Sequence, residues 1–422
     1  TRTRTTHPPN DPMSDTQTQP VDPEAAGTLA AELATAPFVR LYGHADGDSL
    51  AAVGLLAVAL RNRGVPFQTH VSADPAGDLA TDPEPEEGDD ESRTLLVTPG
   101  RGEAADHTLP PAGDSRPASV VAAAVSRELG VDPDPLLALA GVIASGSLPG
   151  TDGSGSLLET AEQTGLVERR PGVGVPTADL TDGLAHSTLV EAPFSADTDV
   201  VEALLADLDL PAAPTEFDDE DHTRVASVVA LETSTAETST PKAAEAVETV
   251  LRPYTTPNGP FATLGGYADV LSALAAETPG LAISLALGAP DIIAEAVDVW
   301  RDHASAVHSA LDEPITGRYE GVFVLRVDTD RPAVLSTVAR LAQRFRSPEP
   351  VALIVTAEAV DGQRHAAAAA AADDPQGLAD ALASVATEFG GTAGGTPTQA
   401  TLRVDGDVSD GDLIAAVREA IQ

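Results

Sequence analysis

Apolar positions along this chain fall into short runs and longer stretches of small residues, and the two alternate. Residues 37–43 (PFVRLYG) and 66–72 (PFQTHVS) read as strands. Between them 50–62 (LAAVGLLAVALRN) reads as a buried helix stopped by Gly64. Strand, helix and strand at that spacing form a βαβ unit and imply parallel pairing. Residues 94–97 (TLLV) add a third strand beyond an acidic loop at 74–92, and helices are predicted at 28–36, 115–129, 134–145 and 157–165. The middle of the chain is helical, at 199–208, 222–231, 242–252, 264–277 and 290–311, with a Thr- and Ser-rich surface loop at 232–241. Strand character returns at 321–327 (GVFVLRV), 351–356 (VALIVT) and 401–404, with helices at 331–346, 375–389 and 408–421. The pattern predicts an α/β chain of two domains. A parallel-sheet domain spans 28–195, a helical connector 196–314 and a smaller α/β domain 315–422, after a disordered polar tail at 1–27.

Composition changes this picture in one respect. Asp and Glu number 66 against 24 Lys and Arg, a net charge of −42, and Lys242 is the only lysine. Disorder is one reading of such a charge, but the regular apolar segments oppose it. An acidic nucleic-acid mimic is a second. The reading adopted is adaptation to a salt-rich cytoplasm, where molar salt shortens the Debye length to about 3 Å. Net charge then says little about partners, and nucleic acid could still be met through local arginines. With no cysteine, disulfides and thiolate metal sites are excluded. Neither a membrane span nor a secretion leader is read in the sequence, and Met13, the only methionine, is a candidate start.

The candidate chemistry sits just after the first strand. His44, Asp46 and Asp48 alternate at its carboxyl end, where side chains project into the crevice in which α/β proteins bind ligands. Imidazole and carboxylate donors suit Mn²⁺ or Mg²⁺, and Ser49 is placed to cap the next helix. The bland alternative is an acidic turn in an acidic protein. The run FVRLYGHADGDSLAAVGLLAVALRNRGVPFQ resembles the first motif of the DHH phosphoesterase superfamily, and within it archaeal RecJ-like proteins. Residues 136–146 (LLALAGVIASG), 186–194 (HSTLVEAPF) and the Gly-rich EFGGTAGGTPTQATLRV resemble later segments of the same proteins. The resemblance implies a two-domain DHH-type fold with a DHH-associated C-terminal domain. It also implies phosphodiester hydrolysis by two metal ions held about 3.5–4 Å apart.

Several positions that the resemblance assigns to metal ligands hold other residues. Thr98 stands where the second motif has an aspartate, and Ser145 where the fourth does. Asp106-His107-Thr108 is the candidate for the Asp-His-His motif, with no strand read before it. Asp152, in a Gly-rich loop, is a weaker substitute for the fourth ligand. In the C-terminal domain Gly394 and Gly395 match a phosphate-gripping Gly-rich loop, but Thr396 replaces its histidine. A tight connection explains the glycines equally well. Arg340, Arg344 and Arg346 around Phe345 are a candidate nucleic-acid contact, with a salt-bridged surface helix as the alternative. His303 and His308 lie five apart, which puts them on different helix faces and points to packing. Gly54 is read as close helix–sheet packing.

The resemblance with these departures implies a catalytically degenerate RecJ-like protein of DNA replication or repair, acting as a binding or scaffold subunit. His44, Asp46 and Asp48 would then be vestigial or weak ligands. The competing expectations are a Mn- or Mg-dependent single-strand exonuclease or phosphodiesterase, and an accessory subunit of an active RecJ-like paralogue. Expected partners are single-stranded nucleic acid, GINS- or MCM-like replisome proteins, or that paralogue.

Overall fold

The computed structural model describes residues 21–81, 92–98, 105–111, 114–208, 210–211, 216–371, 374 and 376–421. The tail expected at 1–27 lies outside them as far as residue 20. From there α1 (Pro23–Thr35) begins earlier than the predicted 28, because Asp22 caps it and Pro23 suits its first turn. Next come β1 (Val39–His44), α2 (Gly47–Arg63), β2 (Phe67–Ser72), α3 (Pro75–Thr81), β3 (Arg93–Val97) and β4 (His107–Leu109). The four strands form one sheet in the order β2-β1-β3-β4, and every pairing is parallel. Because β1 leads outward to β2 while β3 continues the other way to β4, the chain direction switches between β1 and β3. Crevices at such switch points bind ligands in doubly wound sheets.

Helix α2 is buried along almost its whole length, which explains its small residues. It lies between the sheet and α4 (Ala118–Glu128) and α5 (Pro135–Ala144). A Cβ on Gly54 would come within 2.3 Å of the Ala286 Cβ, so this glycine serves helix–helix rather than the expected helix–sheet contact. After α6 (Gly155–Gln163), β5 (Glu168–Arg169), α7 (Leu180–Ala185), α8 (Thr198–Ala206), α9 (Asp219–Thr235) and α10 (Lys242–Glu248), β6 (Tyr254–Thr255) pairs back to β5. Then follow α11 (Leu264–Glu277), α12 (Pro279–Ala286) and α13 (Ile293–Leu311).

These helices divide between cores. Leu264, Leu271, Leu274 and Trp300 join the first core, while Val307, Ala310 and Leu311 join the core of the C-terminal sheet. Helix α13 therefore runs through both; its 19 residues span about 28 Å.

The C-terminal part comprises β7 (Ile315–Tyr319), β8 (Val322–Val327), α14 (Leu335–Leu341), β9 (Val351–Thr356), β10 (Gln363–Ala370), α15 (Leu378–Phe389), β11 (Thr392–Gly395), β12 (Gln399–Asp405) and α16 (Asp410–Ile421). Its mixed sheet runs β11-β12-β10-β9-β8-β7, with α14 on one face and α15 and α16 on the other. The alanine run of β10, a helix former by composition, is a central strand. Its thin side chains let helices close on both faces, and tertiary packing overrides propensity. Among the described residues no helix is long and apolar enough to cross a membrane.

Candidate functional site

The switch-point crevice is built by β1, β3 and the helix ends above them. His44 ends β1, and its Nδ1 lies 2.8 Å from Asp46 Oδ2. Asp46 is the N-cap of α2: Oδ1 accepts from the Ser49 N–H at 2.8 Å and Oδ2 from the Ser49 hydroxyl at 2.8 Å. Burial pushes the Asp46 carboxyl up, but the His44 and Ser49 hydrogen bonds outweigh it and hold the group below the usual carboxylate range. The capping role expected of Ser49 belongs to Asp46.

Asp48 has turned away from the crevice. Only 6 % exposed, it accepts the backbone N–H of Ala118 at 2.6 Å and of Ser119 at 3.0 Å. It thereby caps α4, whose own N-cap is Pro117, a residue with no side-chain acceptor. Burial first and the Asp46 carboxylate second push Asp48 up to about 7, against the two N–H bonds.

The other positions implied by the resemblance are partly assembled. Thr98 follows β3, buried, with its N–H on the Leu109 carbonyl at 3.0 Å. Ser145 closes α5 beside the site, since a Cβ on Gly47 would meet the Ala144 Cβ at 2.7 Å. Its hydroxyl donates to the Val142 carbonyl at 2.7 Å. Asp152 turns back on the Thr151 hydroxyl at 3.1 Å.

Asp106 and His107 do not reach this place. A strand does contain His107, but both residues stand at the amino end of the sheet. There Asp106 accepts from the Thr94 N–H at 2.7 Å, and His107 Nε2 lies 2.8 Å from Glu32 Oε2 on α1. His107 pairs in register with Leu95, and Leu95 with Leu41. That is three residues, about 10 Å of strand, short of His44. Sequence reading overlooked Asp114 and Arg116, which pair through Arg116 Nε at 2.8 and 3.0 Å just ahead of Pro117. An Asp-Ser-Arg turn before a helix gave no metal-type signal.

Arg340, Arg344 and Arg346 do not form an open basic patch. Arg344 donates to the Ala246 carbonyl at 3.0 Å and the Thr249 hydroxyl at 2.6 Å; burial, then the nearby Arg340, push it down to about 10. Arg346 clamps Glu191 through Nε at 2.8 Å and the Leu311 carbonyl at 2.8 Å. Both are staples between the C-terminal sheet and the helices before it. Thr188 and Trp300 donate to the buried Asp269 at 3.0 and 2.9 Å, and Arg340 reaches the Thr188 hydroxyl at 3.2 Å. His303 bridges Glu277 and Thr337, and His308 meets the Ser187 carbonyl at 3.0 Å.

Gly394 and Gly395 serve close approach. A Cβ on Gly394 would lie 2.5 Å from the Ala73 carbonyl oxygen, and one on Gly395, at φ +145°, 2.3 Å from that of Gln399. The β11 hairpin thus packs on the chain just after β2, one strand from His44. On the sheet face that meets Ala73, Thr392, Arg403 and His365 align across β11, β12 and β10. Arg403 borders a cavity of about 190 Å³ with Gln363 and Gly391.

The donor set does not fit a pair of metal ions. Among the described residues no group of three or more His, Asp or Glu is arranged to hold a cation. Asp48 has both oxygens on backbone N–H groups, and Asp46 has both occupied by His44 and Ser49.

A chain from Haloarcula marismortui, "Uncharacterized protein rrnAC1427", is 44% identical over 414 residues, covering 97% of this chain and 100% of that one. The chain belongs to the rrnAC1427 family. The model of that family's C-terminal domain matches residues 314–419. Among solved structures, CDC45 from Entamoeba histolytica superposes with a TM-score of 0.60 at 9% identity, covering 96% of this chain and 100% of that one. At that identity the likeness is one of fold. RecJ from Thermus thermophilus in complex with Mn²⁺ gives 0.47 at 15% identity, over 94% of this chain and 53% of that one. This member of the rrnAC1427 family shares its α/β fold, a parallel sheet followed by a mixed one, with CDC45.

Proposed function

We propose that this rrnAC1427-family chain is a non-catalytic RecJ-like protein that acts as a binding or scaffold subunit in DNA replication or repair. The observation that carries the proposal is the fate of its carboxylates. Asp46 and Asp48 close the amino ends of α2 and α4, so both are structural acceptors where a hydrolase needs free donors. Thr98 and Ser145 add no charge. At the joint between the two sheets, by contrast, buried carboxylates are each met by a side-chain donor. The partners proposed are replisome proteins of the GINS or MCM kind, or a catalytic RecJ-like paralogue that this chain supports; single-stranded nucleic acid is a third.

One observation favours a hydrolase instead. His44 and Asp46 stay partly open to the crevice and could hold one Mn²⁺ or Mg²⁺ by giving up their mutual hydrogen bond. The experiment is incubation in molar KCl and Mn²⁺ with labelled single-stranded DNA, RNA and dinucleotides, for wild type and His44→Ala. We expect no turnover from either, together with stable binding of the purified replication proteins. Turnover by wild type that His44→Ala abolishes would establish the enzyme and end the scaffold reading.

A further inference from the structure

The two edges of the C-terminal sheet are unlike. The β11 edge is short, glycine-rich and packed on Ala73. The β7 edge is open: among the described residues no further strand pairs with it, and Ile315 is 65 % exposed. Exposed apolar edges are templates for another strand. We infer that β7 joins β7 of a second copy of this chain, antiparallel about a twofold axis at Gly317, to make one continuous sheet.

The register follows from hydrogen bonding. The Gly321 carbonyl accepts from the Val351 N–H across the β8–β9 pairing, so the backbone groups of Val322 turn toward Tyr319. By alternation Ile315, Gly317 and Tyr319 bond inward to β8, while Thr316 and Arg318 present N–H and C=O outward. A twofold at Gly317 pairs Thr316 with the second copy's Arg318, and the reverse, so all outward groups are used. A twofold at Thr316 would set Arg318 opposite Pro314, which has no N–H. One at Arg318 would set two arginines face to face. The Gly317 register also lays Ile315 against the second copy's Tyr319 and covers its exposed surface.

A second observation is independent of the strand. At the far end of β7 a cavity of about 320 Å³ is lined by Gly321, Val322, Pro350, Arg418 and Ile421, with Glu320 and Gln376 at its polar side. Arg418 is held with its guanidinium 4.3 Å above the Tyr319 ring, and its Nε is buried with no acceptor. A half-buried arginine held over a ring, with one donor buried and unmet, calls for a carboxylate. Counted on from the Gly317 twofold, the second copy's Glu313, just ahead of its β7, comes beside the Glu320–Gly321 turn at the mouth of that cavity. Glu313 is exposed in one copy and leaves the strand line at φ +49°. Each copy would give a glutamate and receive one.

The test is sedimentation equilibrium of the full chain in molar KCl over a wide concentration range. Wild type should show a monomer–dimer equilibrium. Thr316→Pro removes an outward N–H from each copy and, like Ile315→Lys, should weaken self-association at least about tenfold while circular dichroism stays unchanged. Arg418→Gln should weaken it by a smaller factor. Thr316 and Arg318 amides should gain protection from hydrogen exchange as concentration rises. A monomer at every concentration overturns the proposal. So does a dimer that neither strand variant affects. A dimer sensitive to the strand variants but not to Arg418→Gln overturns the Glu313 contact.

Discussion

Two regions of this molecule bury carboxylates and treat them differently. In the crevice, Asp48 is buried beside Asp46 with only backbone N–H groups to receive it, and its affinity for a proton rises. At the joint between the sheets, Glu191, Asp269 and Glu277 each meet a side-chain donor: Arg346, Trp300 with Thr188, and His303 with Arg331. Cations are scarce in a chain with 66 acids and 24 bases. Placing several of them at the joint holds the two sheets against each other, and leaves Asp48 in the crevice without a cation beside it.

The sharpest way to break this contrast is Arg346→Ala. It strands Glu191, only 7 % exposed, and should cost about 3–5 kcal/mol in denaturant unfolding at molar salt. A loss below about 1 kcal/mol, the value of a surface pair, would remove the joint's special status.

In the crevice, Asp48→Asn isolates the proton. An acid whose folded pKa is raised contributes stability below its unfolded pKa, near 3.8, and loses it as pH climbs through about 7. Wild type should therefore lose stability relative to Asp48→Asn across that window, by about 4 kcal/mol at most. A flat difference curve would show that the α4 cap is charged throughout.

Smaller effects test the contact between the regions. Gly394→Val drives a side chain into the Ala73 carbonyl and should cost about 1–3 kcal/mol, with increased hydrogen exchange at β2 and β11. Smallest of all, His44→Ala removes one partly exposed hydrogen bond. It should shift stability by less than about 1 kcal/mol and leave Mn²⁺ uptake, followed by calorimetry, unchanged.

Much of the fold was legible because periodicity and caps agreed with packing. Leu264–Glu277 and Val351–Thr356 fall where the pattern placed them, and Gly64 ends α2 at φ +73°. Strands β4, β7 and β11 were missed because they are short or rich in glycine and polar residues. Strand β10 was hidden by alanines, whose local preference opposes the sheet.

The site was half legible. The turn at His44, Asp46 and Asp48 does stand at the switch point. Yet spacing alone could not show Asp48 facing α4, because its hydrogen-bond donors belong to residues 70 and 71 positions away. The same limit concealed Thr249 as a partner of Arg344 and Glu191 as a partner of Arg346, which lie 95 and 155 residues away in sequence.

The alanine strand has one more consequence, for the chain as it is being made. Strand β10 lies between β9, which precedes it, and β12, which follows α15 and β11. During synthesis it must therefore wait with one side unpaired until residue 405 has emerged. A valine-rich strand left waiting would recruit neighbouring chains. A run of alanines instead favours a transient helix, which hides its backbone groups until the last strand arrives.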